Sequence, residues 1–286
     1  MSNSSVTAIL KRHGIRPKKR LGQNFLAQMP TIRKIVDAID PLADECVLEI
    51  GPGPGIMTKL LAERAGLVIA VDKDASIIEV AREELGDSQN VRFIEGDVLE
   101  LDLGKAISEL PENLAKKIKV AGNLPYNISS PILFWILKNR GLISRAIVMV
   151  QKEVALRIAA SPGGKDYGTL SVRTQAYASA KRLFDVSPSN FTPPPEVNSS
   201  VVEIDFAGGA SEKPEDDAAF EAVVRAAFGK RRKTLRNALL GSALGLKPDA
   251  LDAALSKSEI DGKRRPETLT VDEFIRLAGY LKKLKD

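Results

Sequence analysis

The sequence predicts an α/β protein, a doubly wound parallel sheet followed by a small all-helical C-terminal domain. Short apolar runs rich in Val and Ile recur between residues 46 and 206, and stretches with helical spacing separate the early ones. Strands that are apolar along their whole length are typical of a parallel sheet covered by helices on both faces. Beyond residue 217 the chain keeps helical spacing without a convincing strand, which predicts the helical domain.

The early candidate strands are short, and most are followed by enough chain to form a helix before the next one. They are CVLEI (46–50), LVIAVD (67–72), VRFIEGD (91–97), IKVAGN (118–123) and RAIVMVQ (145–151), with later candidate strands at 169–179 and 200–206. Amphipathic stretches at 75–85 and 131–137 are the clearest helices between them. This alternation predicts a Rossmann-like sheet.

A change of composition predicts the domain boundaries. The run AGGASEKPEDD (207–217) has the residues of a linker. We therefore predict a basic N-terminal segment at 1–36, an α/β domain at 37–207 and a helical domain at 218–286. Helical spacing in the last region is clearest in FEAVVRAAF, KTLRNALLGSAL, PDALDAALSKS and VDEFIRLAGYLKKL.

Composition also excludes several kinds of site. The longest apolar runs, at 132–137 and 146–150, are too short to span a bilayer, and the N-terminus has no apolar signal-peptide core, so we expect a cytoplasmic protein. One cysteine, Cys46, and one histidine, His13, cannot form a zinc site or a histidine-activated nucleophile. A metal bound by carboxylates alone remains open, but no feature calls for one, so we predict no metal.

Basic residues are concentrated in two segments that contain no acidic residue. Residues 1–36 hold eight Lys or Arg and residues 222–248 hold seven, while the rest of the chain carries more acidic than basic residues. This distribution favours contact with a polyanion such as nucleic acid, because each phosphate contact releases counterions. The alternative is that both segments are ordinary solvated helix faces.

A glycine-rich turn follows the first candidate strand, in 49-EIGPGPGIMT-58. In a doubly wound fold this turn is where a nucleotide-like ligand approaches the backbone, and Gly51, Gly53 and Gly55 permit that approach. A dinucleotide fingerprint would need glycine where Ile56 stands, and no phosphate-binding Gly-Lys-Ser/Thr follows.

Two acidic residues at later strand ends extend the turn into an adenosine site. Asp72 ends the second candidate strand, where a carboxylate can accept hydrogen bonds from ribose hydroxyls. Asp97 ends the third, where it can accept from the amino group of an adenine. Such a site needs no pyrophosphate, so S-adenosylmethionine fits it better than NAD. The alternative is that both residues cap the helices that follow them.

The run 123-NLPYNISSPILF-134 ends the fourth candidate strand at the same edge of the sheet. The side-chain amide of Asn123 and the backbone carbonyl of Leu124 can accept the hydrogens of an exocyclic adenine amine, which aims its lone pair at a methyl sulfonium. Tyr126 would stack on the extruded base, and Pro125 would stiffen the turn. Catalysis would then rest on positioning and electrostatics, with no covalent intermediate.

A simpler interpretation of the same run is a strand-to-helix turn. Ser129 or Ser130 would cap a helix that starts at Pro131. That cap is compatible with the chemistry.

At these residues the chain resembles the KsgA-type rRNA adenine N6,N6-dimethyltransferases. The resemblance covers nearly the whole chain, with the motifs in the order of the family. They are LGQNFL (21–26), EIGPGPGIMT (49–58), NLPYNISSPILF (123–134), QKEVALRI (151–158), YGTLSV (167–172), FTPPPEVNSSV (191–201) and FGKRRKTLRN (228–237).

The resemblance implies a Rossmann-like class I methyltransferase domain that uses S-adenosylmethionine to dimethylate two adjacent adenines in the last hairpin loop of small-subunit rRNA. It implies that Gln23, Asn24 and Leu26 belong to a segment that closes over the cofactor, and that Phe191 holds the target base opposite Tyr126. Asp72 stands where the family often has Glu, which keeps the ribose acceptor. The helical domain would bind rRNA through Arg225, Lys230, Arg231, Arg232, Lys233 and Arg236.

Three alternatives remain at this point. An Erm-type enzyme that methylates large-subunit rRNA shares the fold and chemistry, although FGKRRKTLRN favours the small-subunit enzyme. A ribosome-assembly factor that binds immature small subunits is the second. A cofactor-binding oxidoreductase is the third, and Ile56 together with the NLPY run argues against it. We expect a monomer that acts on rRNA in the 30S particle.

Overall fold

The structure is a computed structural model that describes residues 6–111, 114, 118–230 and 232–283. Its internal contacts divide the chain into two compact units. The first comprises Met1–Ala155 with Arg182–Ile204, and the second comprises Leu156–Lys181 with Asp205–Asp286.

Nine strands are present in the described chain. In order they are β1 (Phe25–Leu26), β2 (Cys46–Ile50), β3 (Leu67–Asp72), β4 (Val91–Glu95), β5 (Ile118–Asn123), β6 (Ile143–Gln151), β7 (Ser179–Val186), β8 (Phe191–Thr192) and β9 (Ser199–Asp205). Seven of them form one sheet in the order β4-β3-β2-β5-β6-β9-β7, and β1 pairs antiparallel with β8 in a separate two-stranded sheet.

Twelve α-helices are found in the same described residues. In order they are α1 (Val6–Arg12), α2 (Met29–Ile39), α3 (Ile56–Ala62), α4 (Ala75–Leu85), α5 (Leu103–Ser108), α6 (Ser129–Lys138), α7 (Lys152–Ile158), α8 (Thr169–Gln175), α9 (Asp217–Phe228), α10 (Leu235–Leu240), α11 (Pro248–Lys257) and α12 (Val271–Lys283). In the part of the chain described, no helix is long and apolar enough to cross a membrane.

The predicted parallel sheet is confirmed. Strands β4, β3, β2, β5 and β6 pair in parallel with their neighbours. Every residue of β2 is buried, as expected for a central strand covered on both faces. From β2 the chain runs outward to β3 and β4 and then returns to β5 on the other side of β2. The sheet therefore has its topological switch point between β2 and β5, where doubly wound folds bind their ligands.

One predicted strand is wrong. Residues 169–179 were expected to form a strand, but α8 occupies Thr169–Gln175 and β7 begins only at Ser179. Local alternation in the sequence favoured a strand, but Val172 and Ala176, spaced by four residues, enter the same apolar core. Packing of a helical face therefore overrides local β propensity.

The predicted cap of α6 is also wrong. The helix begins at Ser129, its N-cap residue is Ile128, and no side chain caps it. The hydroxyl of Ser129 instead donates to the carbonyl of Tyr126 at 3.3 Å, within the NLPY turn. Ser129 thus stabilises the turn and does not cap the helix.

The second compact unit has its own apolar core. Fully buried Phe220 and Phe274 anchor it, and Phe228 lies 5.7 Å from Phe274 between ring centroids. Helices α8 to α12 surround this core. The predicted limits 37–207 and 218–286 stay a prediction. The compact units divide the chain differently, because residues 156–181 pack with the C-terminal helices.

Candidate active site

A cavity of about 960 Å³, counting its open mouth, lies at the carboxyl ends of β2, β3 and β5. The parallel arrangement explains why it collects polar residues from distant parts of the sequence, since carboxyl ends of parallel strands meet at one edge. The predicted site residues that line it are Gln23, Asn24, Gly51, Gly53, Asp72, Asp97, Asn123, Leu124, Pro125 and Tyr126. Ten of the predicted residues therefore meet at one cavity, and their roles stay a prediction.

The glycine turn between β2 and α3 is held in left-handed backbone conformations. Gly51, Gly53 and Gly55 have φ values of 72°, 54° and 85°, which residues with a side chain rarely adopt. Gly51 and Gly53 line the cavity. Gly55 does not, and a Cβ there would stand 2.6 Å from Leu85 Cδ1. Its role is therefore the close packing of α3 against α4.

Asp72 lies half-buried at the end of β3, and its Oδ1 accepts from the backbone N–H of Asp74 at 2.9 Å. It does not cap α4, because Asp74 occupies the N-cap position. Burial raises the pKa of Asp72 to about 6, against the lowering effect of the Asp74 backbone N–H. Asp72 is thus a partly desolvated carboxyl at the cavity wall, and a ligand that donates hydrogen bonds would stabilise its ionised form.

Asp97 has two partners. Its Oδ1 accepts from the backbone N–H of Leu99 at 3.0 Å, so it caps the short 3₁₀ helix Val98–Glu100 as the simpler interpretation expected. Its Oδ2 accepts from Lys73 Nζ at 2.6 Å. Burial alone would raise the pKa of Asp97, but the hydrogen bond from Lys73 lowers it, so this carboxyl is ionised and can also accept from a ligand in the cavity.

The amide of Asn123 is oriented by the backbone of the N-terminal region. Its Nδ2 donates to the carbonyl of Asn24 at 2.8 Å. No side chain or backbone group in the described chain donates to its Oδ1. The oxygen is therefore the free end of an amide fixed at the carboxyl end of β5, beside the cavity.

Tyr126 is half-buried, and its hydroxyl lies 2.5 Å from the hydroxyl of Ser199 on β9. Burial raises the pKa of Tyr126, so it stays a phenol at neutral pH. Ser199 was not predicted as a site residue. Its motif, NSSV, was part of the resemblance, but sequence could not show that its hydroxyl reaches Tyr126.

The other predicted residues of the N-terminal region play different parts. Both ends of the Gln23 amide are used: Oε1 accepts from the backbone N–H of Lys18 at 2.8 Å, and Nε2 donates to Asp74 at 2.8 Å. Leu26 and Phe191 do not line the cavity; they pair with each other across β1 and β8. Phe191 is 4% exposed and packs in an apolar core, so a role for it in holding a base stays a prediction.

A buried acid lies beside the cavity. Glu49, in β2, is fully buried, and neither carboxyl oxygen has a hydrogen-bond partner among the described residues. It lines a smaller cavity of about 480 Å³ that shares Gly51, Gly53 and Asn123 with the first. Burial raises its pKa to about 7. Sequence analysis did not identify this residue.

The predicted RNA-binding residues lie in the second compact unit. Arg225, Lys230, Arg232 and Lys233 are exposed. Arg236 instead forms a bidentate pair with Asp252, at 2.6 and 2.7 Å. Arg231 lies outside the described residues. Within the described ranges, no group of three or more His, Cys, Asp or Glu side chains could hold a metal ion.

Comparison with known proteins identifies the family. The family model for ribosomal RNA adenine dimethylase matches residues 14–283. The chain belongs to the ribosomal RNA adenine dimethylase family. It is an S-adenosylmethionine-dependent rRNA adenine dimethyltransferase, and the predicted Rossmann-like fold and enzyme class are confirmed.

Curated relatives of this dimethylase align over almost their whole length. The chain is 41% identical over 277 residues to ribosomal RNA small subunit methyltransferase A of Alkaliphilus metalliredigens, covering 97% of this chain and 96% of the relative. It is 44% identical over 278 residues to the protein of the same name from Syntrophus aciditrophicus, with 96% and 98% covered. Among the alternatives, these relatives therefore support the enzyme that methylates small-subunit rRNA.

Solved structures resemble the dimethylase fold. The 23S rRNA methyltransferase ErmE has a TM-score of 0.65 at 26% identity, covering 91% of this chain and 100% of that one. A dimethyladenosine transferase from Plasmodium falciparum has a TM-score of 0.71 at 24% identity, with 88% and 95% covered.

The cavity of this adenine dimethylase fits S-adenosylmethionine by its own geometry. Gly51 and Gly53 leave the turn without side chains where the ligand would meet the backbone. Asp72 places its carboxyl at the cavity wall, and Lys73 lowers the pKa of Asp97, which keeps that carboxyl ionised. These are the acceptors that ribose hydroxyls and an adenine amine require.

Proposed function

We propose that the protein transfers methyl groups from S-adenosylmethionine to N6 of two adjacent adenines in the 3′-terminal hairpin loop of 16S rRNA. The observation that carries the proposal is the Asn123 amide. Its nitrogen is held by the Asn24 carbonyl, so its oxygen is presented as an acceptor at the switch point of the sheet.

The cofactor would be held by residues of the main cavity. Backbone groups of the turn at Gly51 and Gly53 would face its methionyl part, Asp72 would accept from the ribose, and Asp97 would accept from its adenine amine. Asn24 and Gln23 would cover it, with Leu26 and Gly55 supporting the wall from behind. When bound, the cofactor supplies an electrophilic methyl group on a sulfonium.

The chain's own part in the reaction is to position the acceptor amine. The amine of adenine is a poor nucleophile because its lone pair is delocalised into the ring. Two acceptors, Asn123 Oδ1 and the Leu124 carbonyl, would bind its hydrogens and turn the lone pair out of the ring plane. The amine nitrogen held by these two acceptors would take the methyl group from the sulfonium, which leaves as the neutral thioether, and would then release one proton to water.

The ring of Tyr126 would stack on the extruded base. Its hydroxyl is fixed by Ser199, so the ring plane is set before the base arrives. Pro125, in the same turn, lines the cavity and restricts its backbone. Phe191 is proposed as support for the opposite face of the base.

The particle recognised would be the 30S subunit, with Arg225, Lys230, Arg231, Arg232 and Lys233 contacting rRNA phosphates. Arg236 would do so only on leaving Asp252. We propose that a cytoplasmic monomer performs the reaction without a metal.

The decisive experiment is methyl transfer from labelled S-adenosylmethionine to unmethylated small subunits, with large subunits and free rRNA alongside. Product nucleosides are identified by mass spectrometry. Dimethyladenosine in the small subunit alone is the expected result. Methylation only in the large subunit would assign the protein to the ErmE-like reaction, and tight small-subunit binding without transfer would make it an assembly factor.

A further inference from the structure

Residues 18–26, called the N-terminal strap here, form part of the wall of the main cavity. Its members Gln23, Asn24 and Phe25 line the cavity. The strap lies directly on the NLPY turn: a Cβ on Gly22 would stand 2.9 Å from Asn127 Oδ1 and 3.5 Å from Pro125 Cβ. It therefore touches the cofactor side and the acceptor side of the site at once.

One buried carboxylate, that of Asp74 at the start of α4, binds two side chains of the strap. Asp74 is 4% exposed, and its Oδ1 accepts from Lys18 Nζ at 2.6 Å while its Oδ2 accepts from Gln23 Nε2 at 2.8 Å. A third donor is the hydroxyl of Ser76, at 2.6 Å. Burial alone would raise the pKa of Asp74, but its hydrogen bonds from Lys18, Ser76 and Gln23 lower it to about 2.

The orientation of this carboxylate is unusual for its position. Asp74 is the N-cap residue of α4, where Asp ordinarily accepts a hydrogen bond from a helix N–H. Its side chain makes no such bond. It is turned toward the strap, so the common stabilising role of an N-cap Asp does not account for it.

The same carboxylate stands between the two halves of the site. The backbone N–H of Asp74 donates to Asp72, the proposed ribose acceptor. Gln23, which Asp74 holds, is covalently joined to Asn24, whose carbonyl accepts from Asn123. A short series of hydrogen bonds and one peptide bond therefore connects Asp72 to the Asn123 amide.

We propose that Asp74 is a positioning residue: it holds the strap over the bound cofactor and, through Gln23 and Asn24, fixes the Asn123 amide with its oxygen toward the acceptor amine. Only the second part, the fixing of the Asn123 amide, rests on the proposed function. It assigns one residue outside the motifs of the reaction to both cofactor retention and transfer rate.

The test compares Asp74→Asn with wild type in the full-length protein. Hydrogen exchange of the amides in 18–26 reports the strap. Dissociation of S-adenosylhomocysteine reports retention, and single-turnover methyl transfer at saturating cofactor reports the Asn123 amide. We expect exchange and dissociation to accelerate and transfer to slow, each by about tenfold, because hydrogen bonds to charged groups are the stronger ones.

Two further variants keep the test decisive. Lys18→Met leaves Asp74 buried without its cation and is expected to loosen the strap more than Asp74→Asn does, and combining both should restore part of the loss. If Asp74→Asn does not fold, Gln23→Met removes the strap's own donor and leaves Asp74 unchanged. Asp37→Asn is the matched control, because it removes an exposed pair with Arg64 away from the cavity.

Each outcome decides a part of the proposal. Strap exchange and dissociation at wild-type rates in Asp74→Asn and Gln23→Met would overturn it. Faster dissociation with an unchanged transfer rate would refute the link to Asn123. If wild type transfers no methyl group to any RNA but Asp74→Asn still frees the strap and its ligand, the proposed function fails while the retention role stands.

Discussion

The side-chain nitrogen of Asn123 lies 2.8 Å from the backbone oxygen of Asn24, a residue 99 positions earlier in the chain. In the proposed mechanism, this contact leaves the amide oxygen, and not the nitrogen, to bind the target adenine. An amide that could rotate would present a donor as readily as an acceptor, and a donor would repel the amine hydrogens. The contact therefore makes Asn123 a directed acceptor.

Substitution of Asn123 tests that direction. We expect Asn123→Ala to lower the transfer rate by about 10²-fold or more, the scale of losing one preorganised hydrogen-bonding group. Cofactor affinity should fall far less. Asn123→Asp keeps the shape but places a carboxylate against the Asn24 carbonyl, so it should also lose transfer. Single-turnover kinetics and equilibrium binding measure the two effects, and normal activity in either variant would contradict the mechanism.

Two substitutions should distinguish the contribution of the Tyr126 ring from that of its hydroxyl. Tyr126→Ala removes the stacking surface and should lower kcat/KM for the rRNA substrate by about 5- to 100-fold, since stacking of a base on an aromatic ring contributes about 1–3 kcal/mol. Tyr126→Phe keeps the ring and loses only the contact with Ser199. The loss of kcat/KM in Tyr126→Phe should equal that in Ser199→Ala, and both should be only a few fold. An equal loss in Tyr126→Phe and Tyr126→Ala would argue against stacking.

Cofactor affinity should depend on pH through Asp72. Its pKa is raised to about 6 by burial, and only the ionised form accepts from both ribose hydroxyls. Affinity should therefore be constant above about pH 7 and fall as pH drops through 6. Asp74 stays ionised over this range. Calorimetric titration between pH 5 and 8 tests this, and Asp72→Asn should bind more weakly at pH 8 with a flatter profile. If the pH dependence of affinity is the same in Asp72→Asn as in wild type, a group other than Asp72 titrates.

The edge of the sheet was predictable from sequence, and the contacts across it were not. Asp72 and Asn123 end strands with a clear apolar pattern, and Asp97 follows β4 by two residues, so parallel pairing brings the three together. The pair of Lys18 and Asp74 depends on the path of the strap, which no local pattern encodes. Helix α8 was missed for a similar reason, because its β-branched sequence becomes helical only by packing in a core that is assembled from later helices.

The exposed basic residues of the second unit should set the salt dependence of RNA binding. Arg232→Glu with Lys233→Glu should weaken small-subunit binding and reduce the slope of log K against log salt by about 1.4 to 1.8, because each phosphate contact contributes about 0.7 to 0.9. Lys257→Glu with Lys263→Glu makes the same charge change at other exposed positions of the unit. An equal effect of both pairs would indicate net charge alone, and no effect of the first would make these residues a solvated surface.

Glu49 should limit stability at high pH. Burial is the largest cause that raises the folded pKa of Glu49 to about 7, from an ordinary value of 4.5, and the nearby charge of Asp72 is a lesser one. The folded state therefore holds this proton more tightly than the unfolded state, and the free energy of unfolding falls as pH rises from about 4.5 to 7. The loss is fully present above pH 7 and is on the order of 3 kcal/mol, since one pKa unit corresponds to about 1.4 kcal/mol.

Denaturant unfolding of Glu49→Gln at pH 5 and pH 8 measures this effect. The variant carries no charge at either pH, so it should gain stability over wild type at pH 8 and much less at pH 5. Glu203→Gln is the contrasting control, because Glu203 pairs with Arg145 at 3.2 Å and its neutralisation should destabilise the fold. A Glu49→Gln variant that is less stable than wild type at pH 8 would show that the ionised carboxylate gains a favourable partner in solution.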